Sequence, residues 1–294
     1  MTTFEERDGG FRVVVERHFP HPIEKVWRAV TEPVHLSQWF PAPVELELTP
    51  GGAMRFPGFD GAEAVGVVDT VQAPGLLVFT WGSDQFTFTL TAEGDGTQFT
   101  LAHVFDDRAG AASFATGWET CIGGLAALIA GTEMPTAEPG FARHEELVSR
   151  FGLDRPDVTE DECGWTLRYE RQLVCPAQVA WNAWFGTDLV TLQQRRAPAV
   201  GEPMTPAQAP EVVLGYVTHA EEPHRLALDL APDVPGDHLT LEFGEGTGHG
   251  ARVALTVTGA DSGQRSPAEG EWGAGAIGGL AEAGLAWASG DGSV

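Results

Sequence analysis

One string occurs twice in this chain and limits what the chain can fold into. Ile122-Gly123-Gly124-Leu125-Ala126 returns as Ile277-Gly278-Gly279-Leu280-Ala281, and a tryptophan, Trp118 or Trp272, precedes each at a near-equal distance. Around the first copy Phe114, Trp118, Cys121, Ile122, Leu125, Leu128 and Ile129 recur at steps of three and four. That spacing is one apolar stripe of an amphipathic helix. Glycine works against such a helix, at about 1 kcal/mol each relative to alanine. The first segment nevertheless holds Gly117, Gly123 and Gly124, and the second Gly273, Gly275, Gly278, Gly279 and Gly284. A helix tolerates this where something must approach its backbone, or where a space beside it must stay open. The segment is therefore read as the lid or wall of a ligand chamber. Composition offers a plainer source, because a chain with 37 glycines places some of them in helices.

The flanks repeat as well. Phe11–Glu32 set against Trp165–Gly186 matches Glu16/Glu170, Arg17/Arg171, Pro22/Pro176, Trp27/Trp181 and Ala29/Ala183. Gly66 to Leu77 lies over Gly215 to Leu226, and Phe99–Phe105 over Val253–Gly259. The shared order, at an offset of about 150 residues, marks an internal duplication. The expected division is a first domain at 1–151, a linker at 152–162 and a divergent second copy at 163–294. Residues 1–10 read as a loose start.

Within the first copy, Phe11 to Phe19 alternates as a strand, Pro22 opens a helix, and Pro33 to Phe40 forms a second. From Val44 to Asp107 the period becomes two. Candidate strands are 44–48, 53–56, 64–71, 76–81, 85–91 and 97–105, separated by Gly- and Pro-rich turns. One face carries Phe86, Phe88, Leu90, Phe99, Leu101, His103 and Phe105; Thr87, Thr89 and Thr100 oppose it. The long helix at 114–130 closes the copy, and 141–151 reads as a short helix. In the second copy the early strands, between Thr187 and Pro210, are not evident.

Charge excludes some functions. A formal charge of −25 repels nucleic acid and disfavours a polybasic membrane-surface mode. No stretch nears the roughly 20 apolar residues of a membrane helix, and the polar start shows no leader, so the chain is expected to be cytoplasmic. Cys121, Cys163 and Cys175 form no CxxC pair, which predicts free thiols; neither a metal nor a cofactor is expected.

The order strand, helix pair, meander, closing helix resembles the START-like helix-grip superfamily, and more closely its activator of Hsp90 ATPase branch. The residues that carry the likeness are Glu16-Arg17, Pro22, Val26-Trp27, Trp39, Gly51-Gly52-x-x-Arg55-Phe56, Gly66, Leu77-Val78-Phe79-Thr80-Trp81, Gly96-Thr97, Gly117-Trp118 and Leu125. The second half lacks counterparts of Trp39 and Gly51-Gly52-x-x-Arg55. The resemblance implies an α+β fold of two tandem helix-grip domains, each a curved antiparallel sheet around a long C-terminal helix. It also implies a cavity for a hydrophobic small molecule. Its members include hydrophobic-ligand binders, cochaperone modules, aromatic polyketide cyclases and self-resistance proteins of enediyne producers.

The expected ligand-binding residues are Trp39, Phe56, Phe79, Trp81, Phe88, His103, Phe105, Phe114, Gly117, Trp118, Cys121, Ile122 and Leu125. His103, inward between Leu101 and Phe105, reads either as a ligand-orienting or acid–base group or as a hydrogen-bonded core histidine. Cys121 reads as a small buried hydrophobe rather than a nucleophile. No catalytic residue is assigned. The leading role is sequestration of an apolar or polycyclic molecule for self-protection, with a cyclase or a cochaperone module as alternatives. Under the enediyne resemblance, Gly117, Gly123, Gly124, Gly278 and Gly279 are candidate sacrificial glycines. A glycyl Cα–H gives up its hydrogen atom readily, because amides on both sides stabilise the radical.

Overall fold

The computed structural model describes residues 1–7, 9–59, 61–136, 140–185, 198–206 and 209–290. Its contacts divide the chain into two units, Met1–Gly140 and Phe141–Val294. In the first, β1 (Thr2–Arg7) turns into β2 (Gly10–Phe19), followed by α1 (Ile23–Thr31) and α2 (Pro33–Trp39). Pro22 precedes the first turn of α1, where no amide hydrogen is needed, and Pro33 ends α1 and begins α2. The meander is β3 (Glu45–Leu46), β4 (Ala53–Arg55), β5 (Val65–Gln72), β6 (Leu76–Trp81), β7 (Asp84–Glu93) and β8 (Gly96–Phe105). A short 3-10 turn, Gly61–Ala64, precedes β5. The closing helix α3 (Ala111–Ala130) ends at Gly131, whose left-handed backbone (φ 68°) lets its amide bond back to the Ala127 and Leu128 carbonyls.

All pairings are antiparallel, in the order β1-β2-β8-β7-β6-β5-β4-β3. The first long strand therefore pairs with the last, and α1 and α2 span the gap this leaves. Val13, Val15, Phe86, Phe88, Phe99 and Leu101 lie on one face and are buried. That face is covered by α3, which packs on β2, α1 and α2. This is the helix-grip arrangement.

The second unit opens with α4 (Phe141–Phe151) and then repeats the plan: β9 (Asp157–Asp161), β10 (Gly164–Leu173), α5 (Ala177–Trp184), β11 (Pro203–Met204), β12 (Gly215–Glu221), β13 (Arg225–Leu230), β14 (His238–Glu245) and β15 (Ala251–Gly259). The sheet order is β11-β12-β13-β14-β15-β10-β9, again with first and last long strands paired. Both sheets carry a register irregularity at the same place, between Val68 and Thr70 and between Val217 and His219. The fold class is therefore α+β, with two antiparallel helix-grip sheets. Of the segment expected to lack early strands, residues 187–197 and 207–208 lie outside the described residues; β11 occupies 203–204.

Two segments differ from the sequence reading. The loose start contains β1, and the linker at 152–162 contains β9. Their hairpins correspond, Arg7 facing Gly10 and Asp161 facing Gly164. The division falls at Gly140/Phe141, so α4 belongs to the second unit. Both strands are sheet edges, and β9 is exposed throughout. An exposed edge is held by main-chain bonds on one side and buries no alternating face, so it leaves no period-two apolar signal.

The second closing helix departs from the first. Four steps lead from Trp118 to Ile122, but five from Trp272 to Ile277. The chain absorbs the extra residue as a π-helix, Glu269–Ile277, set between α6 (Arg265–Ala268) and α7 (Gly278–Ala288). Wider turns keep Trp272, Ile277 and Leu280 buried, as Trp118, Ile122 and Leu125 are. Gly273 has a local reason. A Cβ there would lie 2.8 Å from the Tyr169 hydroxyl oxygen, which donates to the Glu269 carbonyl at 3.0 Å. Deleting Gly275 should restore the first unit's spacing and convert the segment to α-helix. Circular dichroism and amide exchange should then show a folded unit whose melting midpoint is held or raised. A fall beyond about 4 °C, on the order of 1 kcal/mol here, counts against insertion as the cause.

An ion pair fixes α4. Arg171 on β10 is 4% exposed, and its Nη2 donates to Glu145 Oε1 at 2.7 Å and Oε2 at 2.5 Å. Burial raises the Glu145 carboxyl's pKa, but the His144 hydrogen bond and the Arg171 charge outweigh it, and the net shift is downward. A depressed carboxyl stabilises the fold above the unfolded value of about 4.3 and loses that contribution as pH falls through the folded value. Arg171→Ala should leave Glu145 uncompensated and cost about 3–5 kcal/mol in denaturant unfolding at neutral pH. The cost should shrink as Glu145 protonates.

Candidate ligand site

The space between sheet and helix in the first unit is set by strand alternation. Phe79 on β6 faces Phe86 on β7, and Phe86 faces His103 on β8. Their side chains therefore form one row across three strands. Phe79 stacks on Phe86 at 5.1 Å between ring centres, and Phe86 on His103 at 4.3 Å. Trp118 descends from α3 onto this row, 5.5 Å from Phe86 and 5.4 Å from Phe40. Phe40 also touches Phe56, Phe79 and Trp81. The result is a continuous seam of aromatic rings in mutual contact.

The seam includes most residues expected at the site. Trp39, Phe56, Phe79, Phe88, Phe105, Trp118, Ile122 and Leu125 are buried. Trp39 reaches from α2, where its indole nitrogen donates to the Ala29 carbonyl at 3.0 Å. Phe114 packs on His103 and Phe105 at 4.7 and 4.6 Å. Trp81 is half-buried, stacked on Phe56 at 4.3 Å. Phe59, the most exposed ring of the seam, meets Trp81 edge-on at 5.3 Å. The seam reaches the surface there.

His103 is held from both sides. The Trp118 indole N–H donates to His103 Nδ1 at 3.1 Å, and His103 Nε2 lies 2.8 Å from Asp84 Oδ2. Since Nδ1 accepts, the ring proton sits on Nε2 and is donated to the carboxylate. Burial lowers the His103 pKa, and the Asp84 hydrogen bond and charge offset only part of that. A second proton would have to enter Nδ1, against the indole N–H. His103 is thus a neutral bridge between strand, hairpin and helix. Asp84 carries a signal of its own: it is two residues before Phe86, in phase with the inward face. Val257 stands in the place of His103 in the second unit, facing Leu239 as His103 faces Phe86. Trp272 there donates instead to the Pro235 carbonyl at 2.9 Å.

The glycines separate by position. Gly117 is exposed and Gly123 half-buried, and a Cβ at either meets nothing within 4 Å. Both lie off the face turned to the sheet. Gly124 is buried, and a Cβ there would lie 2.9 Å from Met134 Cε and 3.6 Å from Trp39 Cβ. Its role is close contact between α3 and α2. Gly279 is exposed, and Gly278 lies beside the Gly273 carbonyl at the π-helix end. Cys121 is half-buried on the flank of α3, and burial pushes its thiol up to about 11. It stays protonated near neutral pH. Phe40, Phe59 and Phe86 join the seam, and Asp84 its histidine, beyond the residues expected. Phe40 follows the last residue of α2, so helical periodicity does not reach it.

Replacing Trp118 by Phe should leave Nδ1 buried and unpaired, at a cost of about 1–3 kcal/mol, and raise the His103 titration midpoint. In the parent protein, long-range 15N–1H spectra should show the neutral Nε2–H tautomer predominating at the usual histidine midpoint of about pH 6.5. A depressed histidine makes its full contribution to stability above the unfolded value, and that contribution is lost as pH falls below it. First-unit stability should fall accordingly. A mostly charged ring at that midpoint would contradict the bridge.

Residues 20–130 match the family described as activator of Hsp90 ATPase homolog 1-like protein, which is less than half of the chain. No curated protein matches. Among solved structures, the crystal structure of CalU16 from Micromonospora echinospora is 19% identical and covers 52% of this chain and 95% of its own, with a TM-score of 0.42. Its solution structure gives 21%, 51%, 92% and 0.43. A conserved protein of unknown function from Enterococcus faecalis, EF2215, is 20% identical over 51% of this chain and 90% of its own, at 0.46. Among the described residues no helix is long and apolar enough to cross a membrane.

Proposed function

We propose that the first unit, a domain of the activator of Hsp90 ATPase homolog 1-like family, binds and sequesters an apolar or polycyclic small molecule between its sheet and α3. The carrying observation is the aromatic seam, which is closed at His103 and reaches the surface at Trp81 and Phe59. A flat ligand enters there, displaces Phe59, and stacks on Trp81 and Phe56 in its place, since offset stacking suits such faces. The polar groups at the far end are few, as in apolar pockets generally.

Binding is favoured over catalysis. A cyclase needs an acid or base turned to its substrate. Both nitrogens of His103 are engaged, and the Cys121 thiol remains protonated. The proposed role is capture of an antibiotic for self-protection, with the enediyne class as the specific candidate. Of the five glycines considered for sacrifice, Gly124 is the one kept, because it borders the seam through Trp39.

Titration with a flat polycyclic aromatic should shift the amide and ring resonances of Trp81, Phe59 and Phe56 first, and Trp81→Ala should weaken binding about tenfold or more. Shifts confined to other surfaces, or none, would falsify the site. With an activated enediyne, intact-mass measurement separates the two modes of protection: fragments ending at Gly124 mean sacrifice, and an intact complex means capture.

A further inference from the structure

The second unit contains a buried histidine that its own chain leaves half used. His144 lies on α4 and is 1% exposed. Its Nδ1 is 3.3 Å from Glu145 Oε1, and its Nε2 has no hydrogen-bond partner. Glu145 is ionised and held by Arg171, so it can only accept. Nδ1 is therefore a donor, and Nε2 stands in a buried place with nothing bonded to it. An unsatisfied buried polar nitrogen is costly and calls for an explanation. A carboxylate that fixes a histidine tautomer and leaves the other nitrogen free is also the usual support of a metal-binding imidazole.

A second imidazole stands opposite. His249, in the turn between β14 and β15, has its ring centre 5.5 Å from that of His144, at 71°. Phe141, one turn earlier on α4, flanks it at 6.1 Å. Metal–nitrogen bonds of about 2.0–2.1 Å put the centres of two imidazoles on one ion roughly 4.5–5.5 Å apart at bond angles of about 90–120°. The observed spacing falls within that range. The turn is anchored, because Gln172 accepts from the Thr247 amide at 2.8 Å, and its amide nitrogen donates to the His249 carbonyl and lies 3.4 Å from His249 Nδ1, so that Nε2 is the ring nitrogen left for an ion. His249 is exposed, so an ion there has access to water.

We propose that His144 and His249 form a two-histidine site for a divalent transition-metal ion of the zinc or nickel class, joining α4 to the β14–β15 turn. Imidazole suits these ions. Among the described residues no group of three or more His, Cys, Asp or Glu side chains is placed to hold a metal. Water therefore completes the coordination, and the site is a modest-affinity one rather than a closed structural centre.

The test is calorimetric titration of the full chain with zinc chloride and with nickel chloride. One ion should bind per chain, and His249→Gln should weaken binding at least tenfold. His144→Gln should do the same, while a His18→Gln/His21→Gln double variant should bind as the parent does. Because His144 is buried, its variant counts only if tryptophan fluorescence reports a native fold; His249→Gln is exposed and decides the matter if it does not. No binding by the parent, or parent-like affinity in His249→Gln, overturns the proposal.

Discussion

The closing helix of each unit depends on one demand: a buried tryptophan needs an acceptor for its indole N–H. Trp118 and Trp272 sit at corresponding places over corresponding sheets. In the first unit the acceptor is His103, whose other nitrogen is tied to Asp84. The helix is thereby linked through one imidazole to the β6–β7 hairpin. In the second unit Val257 offers no acceptor, and the indole turns to the Pro235 carbonyl. The same demand, met by different partners, gives the two units different interiors.

Register is the second constraint. A helix lying on a sheet must present its large side chains at fixed places, because a core tolerates little change in volume. The additional residue between Trp272 and Ile277 would turn everything after it away from the sheet in an ideal α-helix. The π-helix takes up that residue and returns Ile277 and Leu280 to the core. Its glycines are thus tied to helix geometry and to Tyr169, and Gly124 is tied to Trp39. The glycines that first suggested a chamber wall have several separate causes.

The chemistry of the two interiors follows from burial. His103 is kept neutral, and the thiols of Cys121 and Cys175 are both pushed up to about 11. These groups pack and bridge; they do not exchange protons near neutral pH. The buried guanidinium–carboxylate pair lies instead beside α4 in the second unit, where Arg171 and Glu145 meet near His144 and His249. The two copies of one plan thus differ in which polar side chains they bury.

The sequence by itself determined the duplication, the α+β class, the meander and the inward aromatic face. Each is a local pattern: a repeated string, a period of two, a period near three and a half, or a turn residue. β6 was legible to the residue, at Leu76–Trp81, because both of its faces and both of its turns leave marks. β1 and β9 were not, because each is an edge strand without an alternating apolar face: β9 is exposed throughout, and in β1 the one buried residue is Thr2. Tertiary structure alone decided that Asp84 and Trp118 meet on His103, that α4 belongs to the second unit, and that Gly117 and Gly123 turn away from the sheet. Those are facts about which distant side chains share a space, and no spacing along one chain encodes them.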